Sequence, residues 1–221
     1  WNLVSYEVSS GYDDLWYGMK PVKIGSLLWA PVNVGYDPVS NPYGLMFQWH
    51  RKYGQCYNES PIPISVQGPV TIELANDVTN RNRFYFNSSG SYDCITPQLS
   101  SWDMSVNYNP CPEGWRVPSS AEFQSLISSG YTFDSSGLNN KRGFWFGGYH
   151  NTNKEGSVFL PLSGYIRGEN TSPTQRNSLG LYWSSDTFSV YAKILQMDQY
   201  SVQINSWSRA AGLSIRCVKS L

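Results

Sequence analysis

The sequence predicts an α+β fold of mostly short antiparallel strands, with one or two short helices and disulfide staples. Three observations carry this. Only one stretch has a full helix signature. Ser119-Ser120-Ala121-Glu122 reads as a capping box, Phe123, Leu126 and Ile127 follow on one face at helical spacing, and Gly130 can close the helix in a left-handed cap. Strand-like runs bounded by Gly, Pro, Asn and Asp outnumber that helix. Four cysteines in 221 residues suggest two disulfides and an oxidising compartment.

Composition narrows the class. Hydrophobic residues make up 40% and aromatics 15%, enough rings to bury a sizeable core and to argue against disorder. Charged residues are only 14%, against roughly 25% in an average soluble domain. Lys+Arg and Asp+Glu both number 16, and a zero net charge argues against nucleic acid as partner. No apolar run approaches the ~20 residues that span a bilayer. No basic-then-apolar leader opens the chain, which is read as mature or trimmed, its signal or anchor removed, from an extracellular or outer-cell-surface protein.

In chain order, residues 1–23 mix Trp1, Tyr6, Tyr12, Trp16 and Tyr17 with Ser, Gly and Asp, and are expected to form a strand or an extended arm. Residues 24–36 are β-rich, and Asp37-Pro38 and Asn41-Pro42 mark a loop. Residues 44–53 fit a short amphipathic helix. Residues 57–101, rich in Asn, Ser and Pro, look like an insertion with one hairpin pairing 70–74 with 83–86. The sequons at Asn58, Asn87 and Asn170 arise easily by chance in such a chain. Beyond the helix, residues 143–148, 158–166 and 180–185 are strand-like, and 191–197 and 201–205 are expected to pair across Asp198-Gln199-Tyr200. In the last run Leu213, Ile215 and Cys217 share one face, and Ser214 and Arg216 take the other. The whole, 1–221, is read as one domain: a core from 24–56 and 102–221, an arm and an insertion.

Three disulfide pairings are possible. Cys111–Cys217 with Cys56–Cys94 is favoured because each closes a separate unit; four reduced, buried thiols are the alternative. The first bridge would close a loop of about 100 residues, for which chain entropy gives about 4–5 kcal/mol.

The run Cys-Pro-Glu-Gly-Trp-Arg-Val-Pro at 111–118, Glu122 and Leu126 in the helix, Leu-Pro-Leu-Ser-Gly-Tyr at 160–165, Gly-Leu-Tyr-Trp-Ser-Ser at 180–185 and Gly-Leu-Ser-Ile-Arg-Cys-Val at 212–218 resemble the Fibrobacter succinogenes major paralogous domain. The upstream runs at 24–33 and 44–49 resemble that family's opening, and 57–101 depart from it. The family is abundant in secreted and surface proteins of Bacteroidetes. The resemblance implies a fold related to C-type lectins and formylglycine-generating enzymes, with a helix near the start of the module tied by a disulfide to the terminal strand. It implies no reaction.

The chemistry in the sequence points to binding. His50 and His150 are the only histidines and neither sits in a ligand-spaced cluster. No nucleophile elbow, phosphate loop or dinucleotide fingerprint occurs. The enzyme relatives of the fold use paired late cysteines, and Cys217 stands alone there. Two carboxylates could make a glycosidase pair, Asp186 with Asp198 for instance. The sugar-binding triplets of calcium-dependent lectins and the EF-hand loop are absent, so no cofactor is expected, with a structural calcium left open. Residues 182–209 hold Tyr182, Asp186, Tyr191, Tyr200, Asn205, Trp207 and Arg209 among Ser and Gln, the mix of rigid rings and adaptable polar groups that recognition surfaces use. Trp183 is assigned to the core. The expected function is a secreted or surface, non-enzymatic, adhesin-like domain binding a glycan or protein through that face. A structural part of a surface assembly, at a fimbrial tip or stalk, is the alternative, and a polysaccharide hydrolase the third.

Overall fold

A computed structural model describes residues 16–55, 64–87, 92–148, 154–169 and 172–221. The expectations for residues 1–15, Cys56, His150 and the three sequons fall wholly or partly outside them.

Most strands are short because turn residues interrupt the apolar runs. β1 (Val22–Ile24) and β2 (Leu27–Trp29) form a hairpin across Gly25, whose φ of 61° suits the tight turn. The β-rich run of 24–36 is thus broken after Trp29 into irregular chain. β3 (Phe47–Gln48) follows, then β4 (Ile64–Gln67), β5 (Val70–Thr71), α1 (Ile72–Asn76), β6 (Arg83–Phe86) and β7 (Ile95–Thr96). α2 (Ser120–Ser128) precedes β8 (Tyr131–Asp134), β9 (Gly143–Phe146) and β10 (Val158–Pro161), an antiparallel sheet in the order β10-β9-β8. β11 (Leu179–Phe188), β12 (Tyr191–Asp198) and β13 (Ser201–Trp207) form the longest antiparallel sheet, with the expected 191–197/201–205 pairing. β14 (Gly212–Leu213) pairs with β3, and β15 (Val218–Ser220) closes the β1-β2 sheet.

The β11-β12 pair separates two apolar cores by strand alternation. Leu181, Trp183, Ala192 and Ile194 face one, with Trp49, Trp102, Trp115 and Ile215. Tyr182, Leu195 and Met197 face the other, with Trp29, Phe144, Phe146 and the α2 residues Phe123 and Leu126. Trp183 is fully buried, as its assignment to the core requires, and its indole N–H donates to the Phe47 carbonyl at 2.6 Å.

α2 begins where the sequence places it. The Ser119 hydroxyl accepts from the Glu122 N–H at 3.2 Å, and the Glu122 carboxylate accepts from the Ser119 N–H at 2.7 Å. Arg116 forks onto that carboxylate at 2.8 and 2.5 Å. Burial works against the Glu122 charge, but these hydrogen bonds outweigh it and hold its pKa below the usual value. Upstream, the Trp115 N–H donates to the Pro112 carbonyl at 2.9 Å, with Gly114 at φ 77° in the position where such a turn favours glycine. Cys111 is bonded to Cys217, 106 positions away, and Arg116 and Val218 exchange two backbone hydrogen bonds of 2.9 Å beside the bridge.

Two expectations are corrected. Residues 44–53 form no helix: His50 takes φ 66°, a left-handed turn that ends helical geometry, and Gln48 and Arg51 turn into the core. Residues 70–74 and 83–86 do not pair as a hairpin. The Thr71 hydroxyl caps α1 by accepting from the Leu74 N–H, and β6 pairs in parallel with β4. Arg51 stitches this segment to the body by donating to the carbonyls of Ala75, Asn80 and Arg83. Cys94 carries a free thiol, buried among Ala75, Tyr85 and Ile95, and burial pushes its pKa up; the expected Cys56–Cys94 pairing falls on Cys56, outside the described residues. In the last run Leu213, Ile215 and Cys217 line one core as expected, and Ser214 and Arg216, which alternate with them, are buried as well. Arg216 reaches this interior because three acceptors meet it: Asn33 Oδ1 at 3.0 Å and the Ala30 and Phe159 carbonyls at 2.8 Å each.

His50 is buried beside Trp49, Trp102 and Tyr108, and its Nε2 accepts from the Asp103 N–H at 2.7 Å. Burial lowers its pKa from the ordinary 6.5 to about 4. The folded state therefore favours neutral His50. Its contribution is complete above pH 6.5, and falls by about 3 kcal/mol as pH drops through the window down to about 4. Urea unfolding across that range is expected to show a steeper loss in the wild type than in His50→Gln. Separately, replacing Cys111 and Cys217 by Ala is expected to lower the unfolding free energy by about 2–5 kcal/mol, read from the urea midpoint.

Candidate functional site

The segment that carried the expected recognition face divides in the structure. Tyr182 is fully buried and its hydroxyl donates to the Pro161 carbonyl at 2.7 Å, inside a network with Ser163 and Asn33. It cannot meet a ligand. Asp186 accepts from the Ser120 N–H at 2.7 Å and the Ser120 hydroxyl at 2.5 Å, a second carboxylate over the N-terminus of α2. Its role is to cap a helix. Arg209 is 1% exposed and is a structural cation rather than a ligand contact. Tyr200, 88% exposed, sits on the β12-β13 turn, where Asp198 accepts from the Tyr200 and Ser201 N–H groups. Asn205 lies on the exposed side of β13 and donates to Gln196 Oε1 at 3.0 Å. Asp186 and Asp198 lie at opposite ends of β11-β12, roughly 20 Å apart at ~3.3 Å per residue. A glycosidase pair needs less than about 10 Å, so these two carboxylates do not form one.

Tyr191 and Trp207 do come together. Tyr191 opens β12 and Trp207 ends β13, and Trp207 is the register partner of Ala192 next to Tyr191. With Tyr92 and Phe86 they line a cleft of about 380 Å³, at the low end of the roughly 300–1,000 Å³ of small-ligand sites. The Tyr92 and Tyr191 rings meet at 4.6 Å between centroids, and the hydrogen bond to Tyr92 raises the Tyr191 pKa. Trp207 is braced edge-on by Tyr165 at 5.7 Å. Its indole N–H meets no acceptor among the described residues. Ser206 and Ser208 line the wall, the Ser208 hydroxyl donating to the Tyr92 carbonyl at 3.2 Å, and the exposed Arg167 stands at the rim. Asp and Glu are absent from the described lining.

Arg209 holds this cleft from behind. Its guanidinium pairs with Asp93 at 3.2 Å, donates to the Leu99, Ser189 and Tyr191 carbonyls at 2.8, 3.0 and 3.1 Å, and lies over the Trp49 ring at 4.6 Å. Asp93 follows Tyr92 in the chain, and Trp207 lies two positions before Arg209. One buried cation therefore fixes all three segments that carry the cleft's rings. The Asp93 carboxyl feels burial most, which raises its pKa against the opposing Ile95 N–H and Arg209.

Sequence reading missed Tyr92, Phe86 and Arg167. The first two lie in the segment treated as an insertion, and Arg167 lies in a polar loop where no spacing marks it. Among the described residues no group of three His, Cys, Asp or Glu side chains converges as a metal site. Among the described residues no helix is long and apolar enough to cross a membrane.

The structure defines a class: a disulfide-stapled module of small, mostly antiparallel sheets with two short helices and an aromatic cleft. The chain belongs to the Fibrobacter succinogenes major domain family, whose model matches residues 22–219. That span runs through 57–101, the segment read as an insertion. Comparison with curated proteins and with solved structures gave no match.

Removing the second helix-capping carboxylate tests its assigned role. Asp186→Ala is expected to lower the unfolding free energy by about 1 kcal/mol, measured by urea titration.

Proposed function

We propose that this protein is a non-enzymatic, adhesin-like binding domain of C-type-lectin-like architecture, working outside the cell or on its outer surface, that recognises a glycan in the Tyr92–Tyr191–Trp207 cleft. The cleft carries the reading: three aromatic rings with hydroxyl and indole donors beside them suit a sugar, whose apolar face stacks while its hydroxyls find partners. The site is small and concave, whereas a stable protein interface takes about 800 Å² from each partner, which favours a glycan over a protein. The absence of a carboxylate from the described lining weighs against glycoside hydrolysis there. The Cys111–Cys217 bond, and the lack of a membrane-crossing helix among the described residues, are compatible with an extracellular setting. A lectin-like architecture is supported by the bond between the start of α2 and the terminal run.

A glycan array on the wild-type protein tests this directly. Binding to at least one glycan class is expected, weakened at least tenfold by Trp207→Ala or Tyr191→Ala, the loss typical of a central aromatic anchor. Tyr200→Ala, on the far hairpin turn, is expected to bind as the wild type does. An array with no bound glycan would sink the proposal.

A further inference from the structure

We infer that the cleft selects acidic glycans, and that Arg167 reads a carboxylate on a sugar stacked against Trp207 and Tyr191. The inference rests on the glycan reading and deepens it.

Arg167 is exposed at the rim, next to Gly168, and none of the hydrogen bonds and ion pairs of the described residues uses its guanidinium. The buried arginines of this half are committed by contrast: Arg209 to Asp93 and three carbonyls, Arg216 to Asn33 and two carbonyls. The cleft lining holds one cation and no described carboxylate. Asp93, which lies just behind it, is 6% exposed and already paired with Arg209, so it does not offset the rim charge. A neutral sugar would satisfy the rings and leave that guanidinium in water. A uronic or sialic acid adds a planar carboxylate, which matches the guanidinium fork in a two-point hydrogen bond. Glycine at 168 gives the cleft wall no side chain of its own beside Arg167, which leaves room for the ring that carries the acid.

Titration calorimetry of the full chain tests this with four probes: trigalacturonate, sialyllactose, a neutral galactose trisaccharide, and that trisaccharide sulfated. The wild type is expected to bind at least one carboxylated probe about tenfold more tightly than the neutral one, the worth of a hydrogen bond to a charged group. Which carboxylated probe binds separates a uronic from a sialic acid. Arg167→Ala is expected to bring acidic binding down to the level of the neutral probe with the melting temperature kept. Arg167→Lys is expected to restore only part of it, because an ammonium lacks the fork. Equal affinity for acidic and neutral probes, insensitive to Arg167→Ala, would overturn this inference and leave the glycan reading standing. Equal binding of the sulfated and carboxylated probes would overturn the carboxylate assignment. No binding by any probe, with an empty glycan array, would overturn both readings.

Discussion

The buried guanidinium of Arg209 is the constraint on which the cleft depends. It lies 1% exposed, so its charge has to be met inside the protein, and it is met by one carboxylate, three carbonyls and an indole face. Those partners come from parts of the chain far apart in sequence: 93–99, 189–191 and Trp49. A cation so placed dictates where each of them sits, because removing any acceptor would leave a buried donor unmet. The rings of Tyr92, Tyr191 and Trp207 inherit their positions from that requirement.

The same economy of buried cations recurs elsewhere. Arg216 is buried with Asn33 and two carbonyls for acceptors, and Arg51 is buried against three carbonyls and Gln48. Each fork ties together loops that make few ladder hydrogen bonds of their own. Outside the β11-β12-β13 sheet the strands run only two to four residues and need such ties, since short strands pair weakly. The Cys111–Cys217 bond performs the comparable task covalently, holding the start of α2 against the last strand.

Much of this was legible in the sequence, and the physical reasons divide the readable from the hidden. Ser119 and Glu122 signal the helix because capping is local chemistry, settled within four residues. The hairpin of β12 and β13 is legible because its alternation and its Asp-Gln-Tyr turn are also local. Trp183 and Cys217 follow from alternation together with the family resemblance. The left-handed His50, by contrast, has no signature beyond its identity, so the amphipathic pattern of 44–53 mimics a helix that does not form. Thr71 makes a cap that turns an apparent strand into α1. Arg209 and Asp186 look like surface groups on composition alone. Their partners, Asp93 and Ser120, lie 116 and 66 positions away, beyond the reach of pattern reading. Arg167 and Tyr92 join the cleft through tertiary contact only.

The central claim is that one guanidinium organises the three ring-bearing segments, and hydrogen–deuterium exchange on Arg209→Lys tests it most directly. Lysine keeps the charge and loses the fork, so peptides covering 92–99 and 187–192 are predicted to exchange faster than in the wild type, while the run around Cys217 keeps its protection. Unchanged exchange in both of those peptides, in a folded variant, would contradict the account.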